Sequence, residues 1–228
     1  MTLTTQPSPS VSEALNTRIT VRDFLEKDVP EDVLARILET ALRSPSGGNL
    51  QPWKLHVLRG KALKALVEDG VKRVTSGVME TPTHPAYPSP LWEPQRSWRY
   101  KMGEDMYACL GIGREDKAAR MAWLVQNLKF FEAPVGIILT GHKELGMPQH
   151  LDMGIFLQSL MLLAREEGLH TAPQGWWRQW PDLLADHLDI PETEEVLVGC
   201  ALGYGNPEAP VNDLRTDRAG LGEITTYY

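Results

Sequence analysis

The chain has 228 residues and is poor in cysteine, with Cys109 and Cys200 standing far apart. Two cysteines cannot build a disulfide framework, and neither belongs to a CxxC metal or redox motif. Free cysteines of this kind are usually buried and unreactive. We therefore expect two free thiols and a cytoplasmic protein, because the cytoplasm keeps thiols reduced.

Long apolar runs, a targeting segment and an excess of positive charge are also missing. No apolar run approaches the length of a membrane-spanning helix, so we expect no membrane partner. The N-terminus, MTLTTQPSPS, lacks the charged start and apolar stretch of a signal peptide, and we expect residues 1–10 to be a disordered leader. The net charge of −7 argues against nucleic-acid partners. The six histidines form no HExxH-type pair, which argues against a metal enzyme.

What is present is a mixture of helical and strand patterns without regular βαβ alternation or internal repeats. This mixture predicts an α+β fold in a single domain over 11–228. The apolar helix at 151–167 has apolar residues around most of its circumference, which indicates a central helix or a subunit interface. The tail at 205–228 has little core of its own and needs a surface to pack on. The spacing predicts helices over 11–17, 30–42, 61–74, 115–131, 151–167 and 181–188, and strands over 53–58, 135–140 and 196–202.

Residues 75–104 stand out because five prolines alternate there with tyrosines and tryptophans. A long proline-rich loop inside a domain is typical of a lid or a substrate-binding loop. The alternative is a disordered excursion, which the aromatic content disfavours. Aromatic rings stack on flat ligands, so Trp92, Trp98 and Trp176 are candidate substrate-pocket residues. The alternative for these tryptophans is packing in the core or in a dimer interface.

Arg18, Thr20 and Arg22 follow one another at alternate positions. In an extended segment alternate side chains point to one side, so two guanidinium groups and a hydroxyl group would converge. Forked guanidinium donors suit a phosphate or another oxyanion. The alternative is a solvated basic edge of little consequence.

The stretch SPSGGNLQPW at 44–53 combines small residues with two amide side chains. Small residues allow backbone to approach a flat ligand, and the amides of Asn49 and Gln51 offer donors and acceptors. The alternative is an ordinary loop between a helix and a strand.

The order of these motifs resembles the FMN-dependent nitroreductase family. The opening R.T.R.F at 18–24, an amphipathic helix and then SPSGGNLQPW are similar to the start of that family. The resemblance covers almost the whole chain from residue 11. It continues with N..FF.AP at 127–134, Asp152-Met-Gly and Gly168-Leu169 around the apolar helix, Ala-Pro-Gln-Gly at 172–175, Gly203-Tyr204, and Asn212-x-x-Arg215-x-x-Arg218.

The resemblance implies a nitroreductase-like fold, with a central mixed sheet flanked by helices in an intertwined homodimer. The long apolar helix would form much of the interface, and the C-terminal tail would wrap onto the partner. Two FMN molecules would lie at the interface, each contacted by both subunits. The implied FMN-binding residues are Arg18, Ile19, Thr20, Arg22, Pro45, Ser46, Gly47, Asn49, Asn127, Pro173, Gln174, Gly175, Arg215 and Arg218.

Each of these residues has an implied role. Arg18, Thr20 and Arg218 would hold the FMN phosphate, with backbone contacts from Ile19 and help from Arg215. Thr216 stands where some members have lysine, which leaves more weight on Arg218.

Around the flavin ring, Arg22 and Asn127 would face the pyrimidine edge, with Gln126 or Lys129 as alternatives to Asn127. The edge bearing N5 and O4 would meet the segment 173–175. The loop residues Pro45, Ser46, Gly47 and Asn49 would come from the other subunit.

The activity implied is a two-step, ping-pong reduction. NAD(P)H would pass a hydride to flavin N5, and a nitroaromatic or quinone-like acceptor would then take its place on the same open face. The flavin would carry the chemistry, so no catalytic side chain is required. Three alternatives stay open: another reduction on the same scaffold, such as dehalogenation or flavin fragmentation; a flavin-binding protein without turnover; and an interaction domain without cofactor. The sequence does not choose between NADH and NADPH.

Overall fold

The structure is a computed structural model that describes residues 2–82, 85 and 87–228. Met1 of the expected leader and residues 83, 84 and 86 of the expected lid lie outside the described residues. The helices are α1 Val11–Thr17, α2 Glu31–Ala41, α3 Gly60–Thr75, α4 Gln95–Cys109, α5 Lys117–Val125, α6 Met147–Glu166, α7 Pro181–His187 and α8 Leu221–Ile224. The strands are β1 Lys54–Arg59, β2 Val135–His142, β3 His170–Gln174 and β4 Glu194–Gly203.

The four strands form one sheet in the order β1-β2-β4-β3, and every pairing within it is antiparallel. Among the described residues, the one parallel contact is a bridge between Thr20 and Thr171, at the outer edge of β3. The expected α+β class is confirmed, whereas the expected mixed sheet is antiparallel apart from this bridge. Pro173 fits within β3 because β3 is an edge strand of the four-stranded sheet and a missing N–H donor is tolerated there.

Strand β2 is apolar along its length because both faces of the sheet are covered. Ile137 and Leu139 face one buried cluster, and Ile138 faces the other. Helices α2 and α6 cover the first face, while α3, α7 and a turn carrying the fully buried Trp177 cover the second. The protein is therefore a three-layer arrangement of helices, sheet and helices.

Helix α6 is buried on only one side. Phe156, Leu160 and Ala164 pack into the core. On its outer surface Leu151 and Ile155 are exposed, at 65% and 42% of their full areas. The apolar residues that cover most of the circumference of this helix thus form one face that packs in the core and one face that is exposed.

The expected disordered leader is wrong for residues 2–10. Leu3 is buried, and its side chain lies where a Cβ on Gly205 would stand. Arg165 Nη2 donates to the Gln6 carbonyl at 2.7 Å, and Ser8 N donates to the Arg165 carbonyl at 2.9 Å. The buried guanidinium of Arg165 requires acceptors, and the N-terminal segment supplies them.

The expected loop at 75–104 is shorter than predicted. Helix α3 continues to Thr75 and α4 begins at Gln95, so Trp98 and Tyr100 are helical. Helix α4 was missed because none of its residues is buried, and it therefore has no apolar face to give a helical pattern. The helix expected over 115–131 is also shorter, because α5 ends at Val125 and the chain then turns.

Among the described residues, no helix combines the length and apolar character needed to cross a bilayer.

Candidate cofactor site

A cavity of about 620 Å³ lies between the end of α1, helix α4 and the C-terminal segment. It brings together residues from the two ends of the chain. Six of the predicted cofactor residues line it, and Met102 of α4 adds an apolar wall that sequence reasoning missed. The lining residues are Leu15, Asn16, Arg18, Ile19, Thr20, Arg22, Met102, Leu214, Arg215, Thr216 and Arg218.

The segment after α1 is extended, as the alternation of its residues predicts. Thr20 bridges Thr171 of β3, and Val21 N donates to the Thr171 carbonyl at 3.1 Å. Val21 is fully buried and anchors the segment in the core. The alternate positions Arg18, Thr20 and Arg22 are thereby held at the cavity.

The side chain of Asn212 holds the backbone of the extended segment after α1. Its side chain is fully buried, and its Oδ1 accepts a hydrogen bond from Arg22 N at 2.8 Å. Its Nδ2 donates to the carbonyls of Asp23 at 2.8 Å and Asn206 at 2.9 Å. Sequence reasoning included Asn212 in a motif but assigned it no role, because Arg22 and Asp23 lie about 190 residues away in the sequence.

The cavity has an uncompensated positive charge. Burial lowers the pKa of Arg18, and the neighbouring Arg218 guanidinium lowers it further. Burial also lowers the pKa of Arg22. Within the described part of the chain, no carboxylate lies within 4.0 Å of Arg18, Arg22 or Arg218, and the buried Nε of Arg18 has no partner. Buried charges are normally paired, so this geometry fits an anionic ligand with several oxygen atoms.

Arg215 and Arg218 use their donors differently from Arg18. Arg215 Nη1 donates to the carbonyls of Asn212 at 2.8 Å and Leu214 at 3.0 Å, and Nη2 donates to Thr2 O at 3.3 Å. Arg215 therefore ties the C-terminal segment to the N-terminal segment. Arg218 donates only within its own loop among the described residues, with Nη1 2.6 Å from the hydroxyl of Thr216.

The residues expected at the flavin ring form a second group beside this cavity. Gln174 Nε2 donates to the Asn127 carbonyl at 2.7 Å, and Gln174 Oε1 accepts from Trp177 Nε1 at 3.3 Å. Asn127 Nδ2 donates to Leu124 O at 3.0 Å. The structure thus brings Asn127 and Gln174 together, although neither lines the cavity.

Strand β3 connects the cavity residues with the residues expected at the flavin ring. The bridge between Thr20 and Thr171 is parallel, so both segments run the same way from it. Arg22 lies two residues after Thr20, and Pro173 lies two residues after Thr171. Both residues are therefore near the C-terminal end of strand β3, and Gly175 follows at the start of a 3₁₀ turn.

The predicted residues Pro45, Ser46, Gly47 and Asn49 lie elsewhere on the same chain. Gly47 N donates to Asp152 Oδ2 of α6 at 3.2 Å, which fixes the loop against that helix. The four residues do not line the arginine cavity. Within one chain the structure does not unite them with Arg18, and their contribution from a second subunit stays a prediction.

The three predicted pocket tryptophans are not brought together by any ring contact among the described residues. Trp92 and Trp98 are exposed, at 59% and 44%, whereas Trp176 is half-buried against the core. Tyr87, which was mentioned only as part of the aromatic loop, lies under Arg99, with the guanidinium carbon 4.2 Å from the ring centroid.

Among the described residues, no group of three or more histidine, cysteine, aspartate or glutamate side chains is arranged to hold a metal ion. Cys109 and Cys200 are both free. Burial raises the pKa of the Cys200 thiol to about 12, so this thiol stays protonated at neutral pH.

Comparison with known proteins agrees with the arrangement of these residues. The model of the nitroreductase family matches residues 15–204. A chloronitrobenzene nitroreductase of Comamonas testosteroni is 33% identical over 233 residues, which cover 96% of this chain and 97% of the relative. A 4-nitrobenzoate reductase of Pseudomonas putida is 35% identical over 201 residues, with 88% of each chain covered.

The fold agrees with a solved structure as well. The crystal structure of the FMN and NADPH-dependent nitroreductase NfnB from Sphigopyxis sp. strain HMH superposes with a TM-score of 0.92 at 40% identity, covering 96% of this chain and 99% of that one. The family model spans most of the chain, and the two relatives align over nearly their whole lengths. The chain therefore belongs to the nitroreductase family.

Proposed function

We propose that this protein is an FMN-dependent NAD(P)H oxidoreductase that reduces nitroaromatic or quinone-like acceptors. The observation that carries the proposal is the cavity in which Arg18, Arg22 and Arg218 meet without a carboxylate among the described residues. FMN and NADPH are named for the relative NfnB, and nitroaromatic reduction for the relatives from Comamonas and Pseudomonas.

The phosphate of FMN suits the charges of this cavity. Arg18 offers an unpaired, buried Nε, and the hydroxyl group of Thr20 lies on the same wall. Arg218 can exchange the contacts within its own loop for stronger, charge-assisted bonds to a phosphate oxygen. Burial and, to a smaller extent, repulsion from Arg218 lower the pKa of Arg18, and a bound dianion would offset both effects.

Arg22, Asn127, Gln174 and Gly175 would surround the ring. When bound, FMN supplies the two-electron carrier between NAD(P)H and the acceptor. Arg22 is half-buried, its burial lowers its pKa, and a fixed cation in a site of low dielectric stabilises negative charge that develops beside it. The bond from Gln174 Nε2 to the Asn127 carbonyl and the bond from Asn127 Nδ2 to Leu124 O hold the two amides in place before any ligand arrives.

We further propose that the protein works as a homodimer in the cytoplasm. The outer face of α6, with Leu151 and Ile155, is apolar and exposed, as is Ile224 in α8. A second copy covering α6 would also meet the loop at 45–49, which Gly47 fixes to the same helix. The loop of one subunit would then complete the cofactor site of the other.

The test is the visible spectrum of the purified protein, before and after anaerobic addition of NADPH or NADH. A flavin spectrum that bleaches with the reductant and recovers with a nitroaromatic or a quinone is expected. Bound flavin that neither nucleotide bleaches would contradict the oxidoreductase. A protein that is colourless and does not take up added FMN would contradict the cofactor site as a whole.

A further inference from the structure

A tyrosine and an arginine form a pair at the rim of the arginine cavity. Arg99 Cζ lies 4.2 Å from the centroid of the Tyr87 ring. Arg99 precedes Met102 by three residues in α4, so the two side chains share one face of that helix. Met102 lines the cavity, and Arg99 is therefore one turn from the cavity wall.

Tyr87 is also linked electrostatically to Arg22, one of the residues that line the cavity. Burial lowers the pKa of Arg22, and Tyr87 acts in the opposite direction. Tyr87 is half-exposed, at 50%. Its ring thus supports the Arg99 guanidinium at a position open to solvent, one helical turn from the cavity residue Met102.

Arg99 differs from its neighbours in α4 because its charge has no carboxylate partner among the described residues. Arg96 Nε lies 2.5 Å from Glu93 Oε1, and Lys101 Nζ lies 2.5 Å from Asp105 Oδ2. Within the described ranges, no carboxylate lies within 4.0 Å of Arg99 and no acceptor takes its N–H donors. The Tyr87 ring orients the guanidinium group and leaves its donors available.

We propose that Arg99, supported by Tyr87, binds the anionic substituent of an aromatic acceptor and so determines specificity for anionic over neutral nitroaromatics. A carboxylate would take the forked donors of Arg99, and the acceptor's ring would pack beside Tyr87. This inference rests on the proposed function, and it names the acceptor class that the same site prefers. Chloronitrobenzene-like acceptors, which have no such group, would gain nothing from Arg99.

The test compares two acceptors of similar shape in the holoenzyme, 4-nitrobenzoate and the neutral 4-nitrobenzamide. The measured quantity is kcat/KM for 4-nitrobenzoate divided by kcat/KM for 4-nitrobenzamide. The two acceptors differ in intrinsic reducibility, but this difference cancels when the ratio is compared between wild type and a variant. In Arg99→Gln the ratio is expected to fall about tenfold, through KM for the nitrobenzoate. Added salt is expected to reduce the wild-type preference, since Arg99 is partly open to solvent.

Matched variants separate binding from a general disturbance of α4. Arg96→Gln removes a cation three residues away that is already paired with Glu93, and it is expected to leave the ratio unchanged. Tyr87→Phe keeps the ring under Arg99 and is expected to retain the preference. Tyr87→Leu removes the support and is expected to lose part of it.

An unchanged ratio in Arg99→Gln, or an equal loss for both acceptors, would overturn the inference. So would a loss confined to reduction by NADPH but not NADH, because the anion bound by Arg99 would then belong to the reductant. The proposed function is judged separately, by whether the bound flavin still bleaches and 4-nitrobenzamide is still turned over. If wild-type holoenzyme reduces neither acceptor, the proposed function and the inference fail together.

Discussion

Replacing Asn212 by alanine removes the buried link between the C-terminal segment and the arginine-bearing segment at 18–24. Three hydrogen bonds disappear at once, from Arg22 N to Oδ1 and from Nδ2 to the carbonyls of Asp23 and Asn206. Asn212 is 0% exposed, so water does not readily replace the lost partners. We expect both lower stability and weaker FMN binding, because the backbone of Arg22 loses its anchor.

The expected loss in the free energy of unfolding follows from the number of hydrogen bonds removed. A buried hydrogen bond contributes about 1 kcal/mol net, so Asn212→Ala is expected to lower the free energy of unfolding by about 3 kcal/mol. Asn212→Asp keeps an acceptor for Arg22 N but loses both donors, and a loss of about 2 kcal/mol or more is expected. The Kd for FMN is expected to rise about tenfold in Asn212→Ala, equivalent to about 1.4 kcal/mol.

Urea unfolding of the FMN-free protein measures the first effect, and a fluorescence titration with FMN measures the second. Asn206→Ala is the control, because the Asn206 side chain is only half-buried and donates one bond, to Asp23 Oδ1 at 2.9 Å. If Asn212→Ala is no less stable than Asn206→Ala and binds FMN like wild type, the reasoning about this anchor is refuted.

Two further predictions concern the buried layers. Burial lowers the pKa of His170 to about 3, against about 6.5 in an unfolded chain, so the folded protein binds fewer protons between these values. The free energy of unfolding is therefore expected to fall as pH decreases from about 6.5 toward 3, and less steeply in His170→Gln; parallel curves in urea would contradict this. Gly199→Ala would place Cβ 2.0 Å from the buried Trp177 ring and is expected to cost about 3 kcal/mol. Gly103→Ala, in an open helical position, is expected to gain about 1 kcal/mol, and thermal unfolding distinguishes the two.

The elements that could be predicted from the sequence are those with a strong apolar pattern. Strand β2 and helix α6 carry such patterns, and the structure confirms both elements, although α6 begins at Met147 and β2 continues to His142. Helix α4 and strand β3 do not: α4 buries none of its residues fully, and β3 is short and contains Pro173, a residue that is uncommon within strands. A local apolar pattern indicates burial, so it cannot find a helix that has no fully buried residue.

The residues of the candidate cofactor site also divide into those that a local sequence pattern predicts and those that it does not. Arg18, Thr20 and Arg22 were predicted from their alternation, and Arg218 only from the family resemblance. Their meeting in one cavity depends on contacts across the chain that no local pattern encodes.

Met102 and Asn212 were assigned no role from the sequence, because their positions at the cavity depend on contacts between segments that lie far apart in the chain. The N-terminal segment was predicted wrongly for a related reason. Leu3 and the polar backbone beside it gain order from Arg165, whose need for acceptors appears only in the folded core.

The most direct test of the central claim is to compare the binding of FMN and riboflavin, which differ only in the phosphate group. We expect wild-type protein to bind FMN at least about a hundredfold more tightly, with a strong dependence on salt. In a variant carrying Arg18→Gln and Arg218→Gln this preference should largely disappear, while riboflavin binding stays as in wild type. Equal affinity for the two flavins in wild type, or a preference that survives both substitutions, would contradict the assignment of the arginine cavity to the FMN phosphate.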